Sequence, residues 1–363
     1  MKKDSTKRNL QIGFIALALS IILMVLAGTK AGFGEWYATH AYPFLVSTVG
    51  RLFGILPFSA SEIILYILVA LLIGSAVYTA LRVRRSERNS GLLLNWSSKV
   101  FLTVSILALL YVTNCGINYH RIPFSKISGI TADDYSVNDL KHVCAWLTRE
   151  VNEAGSKVSR DPDGQMRLSA DMARRPQDAM TNLGTQYPSL SGFYPQPKRI
   201  LVSEILSWQQ LSGIYSPFTI EANYNGDMPD FNIPFTASHE LSHLRGFMQE
   251  EEANFIAFLA CMYSPEPDFQ YSGYLSAWIY CTNTLFSSDS QAYAEFYQQL
   301  SDDVKIDLQS NRIFWRKYKG RIADISNRIN DTYLRANGQE DGVKSYHRMV
   351  DLLVTFSKKH LHI

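Results

Sequence analysis

The sequence predicts an α-helical membrane anchor of three transmembrane helices, followed by a mainly helical α+β domain with a small sheet. Three observations carry this reading. The 363 residues are 47% hydrophobic and 19% charged, but the apolar residues crowd into the first third, where three long runs lack charge. The remaining two thirds are ordinary in composition and large enough for a sizeable core. Within them stands His239-Glu240-Leu241-Ser242-His243, a pentapeptide whose spacing suits a metal ion. Other classes are excluded by arithmetic. With 35 Lys plus Arg against 33 Asp plus Glu, the formal charge is only +2, so no nucleic-acid partner is expected. Four cysteines without a CxxC pair give neither a disulfide scaffold nor a thiolate metal site.

Leu10 to Gly28 and Ile63 to Leu81 are each nineteen residues without a charge, nearly enough at ~1.5 Å per residue to cross a hydrocarbon core of ~30 Å. A weaker third run covers Val100 to Ile117, so the expected spans are about 10–28, 63–81 and 100–117. The first run exceeds the ~7–15 residues of a signal-peptide core, which favours an anchor over a cleaved leader. Lys2, Lys3, Lys7 and Arg8 precede it, and Arg82, Arg84, Arg85, Arg88 and Lys99 lie between the second and third runs. Both basic segments are expected in the cytoplasm. Three spans then place residues 119–363 outside it, as one domain distinct from a membrane domain at 1–118. The lipid bilayer is thus an expected partner. Between the first two runs, Phe33 to Ser59 is rich in interface-seeking aromatics and reads either as a segment along the outer surface or as a loop.

In the second part, apolar spacing predicts helices over Val137 to Ala154, Leu168 to Leu183, Pro234 to Arg245, Glu250 to Tyr263, Tyr271 to Phe286, Gln291 to Leu300, Val304 to Tyr333 and Val343 to Phe356. Arg199 to Ser203 and Phe218 to Tyr224 have strand character, and Asn225-Gly226 follows as a turn. The second strand, with edge character, is a candidate to pair with an extended peptide.

The chemistry lies in HELSHLRGFMQEEEANF. Histidines four apart share one helix face, so His239 and His243 can reach one Zn²⁺ while Glu240 holds the metal's water and takes its proton. Thr236 or Ser238 can cap or lie in the first turn, and small Ala237 allows close packing. A catalytic zinc needs a third protein ligand. In the layout HExxHxxGxxH the glycine falls on Gly246 but the ligand position falls on Gln249, an amide that binds zinc poorly. In the layout with a glutamate on the following helix, ExxxD, the Glu250 to Asn254 spacing fits, with Asn254 where an aspartate would support the ligands. Helix phase puts Glu250 and Asn254 on one face and turns Glu251 and Glu252 elsewhere, toward solvent or a neighbouring lobe. Gly246 supplies the reversal between the helices. For an oxyanion, Tyr346 is the preferred donor, with His347, Arg348 and Tyr215 of suitable type. The isolated His40, His120, His142, His360 and His362 are assigned no role, and Cys144, Cys261 and Cys281 could form one disulfide.

The three-span start, Gly213 to Asn225 (GIYSPFTIEANYN), HELSHLRGF with EEEANF, and Tyr333 to Leu353 together resemble a bacterial family of membrane-anchored proteins. That family is catalogued as a domain of unknown function and is regarded as zincin-like, with a gluzincin-type HExxH plus ExEAN pair. The resemblance implies a zincin-like fold for 119–363 and leaves the substrate open. The expected activity is peptide-bond hydrolysis by a membrane-anchored zinc metallopeptidase. Here Zn²⁺ on His239, His243 and Glu250 acidifies its water, and Glu240 carries the proton to the leaving amine. The rival expectation is a non-catalytic envelope scaffold or sensor. A channel or transporter is disfavoured because no run carries a charge deep in the membrane.

Overall fold

The uncharged runs form the three long helices of the computed structural model, which describes residues 2–85, 90–168 and 175–361. Helix α1 spans Lys2–Thr29, α2 spans Ala60–Arg84 and α3 spans Ser90–Asn114. All three are long and apolar enough to cross a membrane. Helix α3 starts earlier than its uncharged run and ends in a tight turn at Gly116–His120. Along α1 and α3, Asn9 donates to Ser98 (3.5 Å), Thr6 bonds Asn95 (3.3 Å), and Gly13 lies under the Phe101 ring. Small residues and interhelical polar pairs of this kind hold helices together where burial of apolar surface gives no driving force. By contrast, α2 leaves Leu65, Ile67, Leu71, Ile73 and Val77 exposed, as a lipid-facing helix does. The aromatic stretch after α1 is not a plain loop: residues 33–54 are helical, with π-helical turns at Tyr37–Ala41 and Val46–Gly50.

These helices belong to one of two compact units, Met1–Arg121 with Ser216–Glu221; the other is Ile122–Tyr215 with Ala222–Ile363. In the first unit Glu221 caps α2, its carboxylate accepting from the backbone of Ala60 (3.1 Å) and Ser61 (2.8 Å).

The second unit is mainly helical. Its α4 (Val137–Gly155) opens with a reciprocal cap between Ser136 and Asp139. Helix α5 is Arg175–Gln186; the start of the expected Leu168 helix, residues 169–174, lies outside the described residues. A three-stranded sheet follows in the order β1 (Lys198–Arg199), β3 (Glu221–Tyr224), β2 (Gly213–Ser216). Strand β1 is parallel to β3, whereas the short connection makes β2 and β3 an antiparallel hairpin.

Two strand expectations need correction. Arg199–Ser203 contributes little beyond β1, and the chain turns at Leu201. The alternation from Phe218 is interrupted because 217–220 is the hairpin turn, where Ile220 takes a left-handed φ of 52°. The expected edge strand is therefore the central one, and the edges are β1 and β2.

The core helix α6 (Asn232–Leu244) is buried from Ile233 to Leu244, and α7 (Glu250–Met262) is nearly as enclosed. Helices α8 (Pro267–Ser288), α9 (Ser290–Gln299), α10 (Asp302–Lys317) and α11 (Arg321–Ala336) follow. The single helix expected over Val304 to Tyr333 is two, broken at Tyr318–Gly320. The expected Val343 helix begins as a 3₁₀ turn, Gly342–Arg348, before α12 (Met349–Phe356). Trp146, Phe258 and Tyr274 tie α4, α7 and α8 through edge-on ring contacts. All four cysteines are buried thiols, so the disulfide allowed for Cys144, Cys261 and Cys281 is not formed.

Candidate metal centre

A fully buried helix must satisfy its own polar groups, and α6 does so locally. Ser238 Oγ donates to the Pro234 carbonyl (2.9 Å), Ser242 Oγ to the Ser238 carbonyl (2.8 Å), and the Phe235 N–H is taken by Ser272 of α8 (3.0 Å). Pro234 falls in the first turn, where its missing N–H costs nothing. The serines therefore bond within the helix and do not cap it. At the other end Gly246, with φ of 92°, donates to His243 O (2.8 Å), and Phe247 N donates to Ser242 O (3.1 Å). This closure reverses the chain. It also turns the Phe247 carbonyl back to within 2.9 Å of His243 Nδ1. With Nδ1 bonded there, Nε2 is the ring nitrogen left to bind a cation.

The reversal brings Glu250, the first residue of α7, onto the histidines. Its Oε2 lies 3.3 Å from His239 Nε2 and 3.6 Å from His243 Nε2. All three residues are buried, and their ligand atoms lie within 4.8 Å of one another. Donors placed ~2.0–2.1 Å from a tetrahedral zinc stand about 3.3–3.4 Å apart, so the spacing fits such an ion. The approaches are not aligned as hydrogen bonds, and Glu250 Oε2, Glu240 Oε2 and His239 Nδ1 are buried without a hydrogen-bond partner. Buried unpaired polar atoms are costly, and a bound cation would account for the Glu250 oxygen.

Electrostatics describe the same cluster. Burial would raise the Glu250 carboxyl, but the two imidazoles outweigh it and hold it down at about 2. Burial would lower His243, but Glu250 and Glu240 lift it to about 9. An ionised carboxylate beside buried imidazoles is a donor set that a divalent cation can take, displacing the imidazole proton. Glu240 is pushed up to about 7 by burial, against the pull of the histidines. It accepts a hydrogen bond from the Tyr215 backbone, which ties it to edge strand β2. Gly213 of that strand lets Glu240 approach: a Cβ there would lie 2.5 Å from Glu240 Oε1.

The other glutamates do not face solvent. Glu252 is buried and accepts from Ser125 N (2.8 Å) and Ser125 Oγ (2.5 Å), capping the short helix Phe124–Ser128. Glu251 is half-buried and accepts from Gln339 (2.8 Å). Helix phase did separate the three, but each acidic side chain has a task inside the unit. Asn254 shares the Glu250 face; its amide donates to the Tyr346 carbonyl (3.4 Å) and pairs with Tyr280.

A cavity of about 460 Å³ opens beside His239 and Glu240. Tyr346 lines it, and burial with Glu250 nearby raises its phenol well above the usual range. Arg348 pairs with Asp341, Tyr215 meets Glu240 through its backbone, and neither is among the residues lining this cavity. The His347 side chain lies outside the described residues. Tyr280, placed by α8 and raised to about 12 by burial with Glu250 beside it, is a second phenol on the cavity that sequence reasoning missed. No local motif marks it.

Fold and site thus define a mainly helical protein with three helices able to cross a membrane and a buried His-His-Glu group able to hold a metal ion. Residues 37–354 match a family described as "Protein of unknown function (DUF3810)", and the chain belongs to that family. No curated protein and no solved structure matches it.

Proposed function

We propose that the chain is a membrane-anchored zinc-dependent metallopeptidase of zincin-like type, with its second unit on the outer side of the membrane. The observation that carries this reading is Glu250 Oε2 at 3.3 and 3.6 Å from the Nε2 atoms of His239 and His243, with Glu240 one residue away on the cavity wall. A bound zinc ion would supply Lewis acidity and an activated water. His239, His243 and Glu250 would hold it, and the Phe247 carbonyl keeps the His243 ring in register.

Glu240 would take the water's proton on Oε2, the oxygen without a hydrogen-bond partner, and deliver it to the departing amine. The Tyr215 N–H holds that carboxylate in place from β2. Tyr346 and Tyr280 remain protonated at neutral pH and would donate to the carbonyl oxygen as it gains charge. A purely structural metal site has no need of such a base, which favours catalysis over the scaffold reading. The test is peptide turnover by the full-length, zinc-loaded protein in detergent. Glu240→Gln should keep about one zinc per chain and lose roughly 10²–10⁴-fold in rate. Zinc-loaded wild type that cleaves no peptide would leave the scaffold reading in its place.

A further inference from the structure

The wall of the cavity is rich in side-chain amides. Beyond Glu240 and His239 it carries no ionisable carboxylate, amine or guanidinium among the described residues, and apart from Phe235, Ile279, Trp315 and a few aliphatics its lining is polar. Six amides contribute: Gln210, Asn232, Asn254, Asn311, Asn327 and Asn330. They come from distant parts of the chain, so nothing in the sequence announces them.

Their hydrogen bonds organise the wall without exhausting it. Asn232 donates to Asn311 Oδ1 (3.1 Å), which leaves the Asn311 amino group uncommitted. Asn330 pairs with the Tyr346 hydroxyl. Gln210 donates to the Trp315 carbonyl (3.0 Å) from a left-handed backbone, φ 59°, a strained conformation for a non-glycine residue. An amide has two donors and two acceptor lone pairs, so each retains capacity for a ligand. A smaller cavity of about 170 Å³ shares Ile279, Asn311 and Trp315 with the first, and the first cation along the cleft, Arg312, is met only there.

Such a wall discriminates by what it leaves unpaired. Away from Glu240, His239 and the metal centre, a charged substrate side chain would lose water and find no counter-charge on this wall, and an aliphatic one would cover amides that then lack partners. We propose that the cleft selects peptides whose residues beside the scissile bond are uncharged and hydrogen-bonding, such as Ser, Thr, Asn and Gln, against charged or aliphatic neighbours. This substrate class rests on the peptidase reading.

The test separates binding from turnover. Full-length Glu240→Gln protein, zinc-loaded in detergent, is titrated with fluorescent peptide pools that differ only at two adjacent positions, filled by Ser/Thr/Asn/Gln, by Lys, by Asp or by Leu. The neutral polar pool should bind at least about tenfold more tightly than the others. Asn311→Asp with Asn327→Asp should shift preference toward the Lys pool by a similar factor. Equal binding of the Lys, Asp or Leu pools, or binding of none, overturns the inference. Wild-type turnover of the same pools is read separately. Selective binding without turnover upholds the neutral polar selectivity and removes the peptidase reading. Turnover that favours Lys or Leu pools removes the selectivity and leaves the peptidase reading standing.

Discussion

Replacing Glu250 by Gln tests the metal centre most directly. The change keeps the size of the side chain and removes the anionic donor whose oxygen stands 3.3 and 3.6 Å from the two imidazole nitrogens. Residues that merely orient a ligand typically cost ~10–100-fold in metal affinity when lost. Glu250 is placed as a donor itself, one of three, so its loss should exceed about a hundredfold, or more than ~2.8 kcal/mol at ~1.4 kcal/mol per tenfold. The assay is competition for zinc between the full-length protein and a chromophoric chelator, with metal content checked by mass spectrometry. Glu251→Gln is the matched control, since its carboxylate is engaged by Gln339 at 2.8 Å and lies outside the His-His-Glu group. It should change affinity by no more than a few-fold. Glu252→Gln should act on stability, by about 1–3 kcal/mol, because it disturbs a buried acceptor of two Ser125 hydrogen bonds. Glu250→Gln protein that still holds one zinc per chain within tenfold of wild-type affinity would refute the reasoning.

Gly213→Ala should displace Glu240, since the new Cβ would lie 2.5 Å from its Oε1 and 2.7 Å from Thr236 Cγ2; turnover should fall while zinc content holds, and unchanged turnover would argue against the Glu240 position. Asp351 gives a pH signature: burial raises its carboxyl despite the hydrogen bond from Tyr135 (3.0 Å), so the charged form is disfavoured on folding. Its contribution is therefore more favourable below the folded pKa and is lost as pH rises through it. Asp351→Asn, which keeps an acceptor for Tyr135, should raise the thermal midpoint at pH 7 and lose that advantage toward pH 3; a difference that grows on acidification would reverse the sign. For topology, a reporter fused at the C-terminus should work only outside the cytoplasm and one within the basic segment 82–99 only inside, and the opposite pattern would overturn the three-span orientation.

Local periodicity made much of the helical structure legible. Val137–Gly155, Glu250–Met262 and the apolar runs of α1 and α2 are set by spacing, caps and hydropathy that each segment carries itself. The misread elements are those whose form depends on distant partners. Residues 217–220 look like strand but form a turn, because β2 pairs with β3 and reverses the chain there. The break near Gly320 lies inside a pattern that remains amphipathic on both sides, so periodicity alone runs through it.

For the site, the sequence by itself determined the two histidines and Glu240, since a four-residue helical interval brings imidazoles to one face wherever that helix lies. It also favoured Glu250, because helix phase puts that residue on one face with Asn254 and turns Glu251 and Glu252 elsewhere. Tertiary structure decided what identity could not. Three chemically identical glutamates at consecutive positions became a cluster member, a partner of Gln339 and a cap on Ser125, because side chains successive on a helix point about 100° apart into different surroundings. Likewise, Tyr280, Asn311 and Asn330 share one cavity with Glu240 only because α8, α10 and α11 fold around α6. Contacts of that sequence separation carry no local signal, and packing alone brings them together.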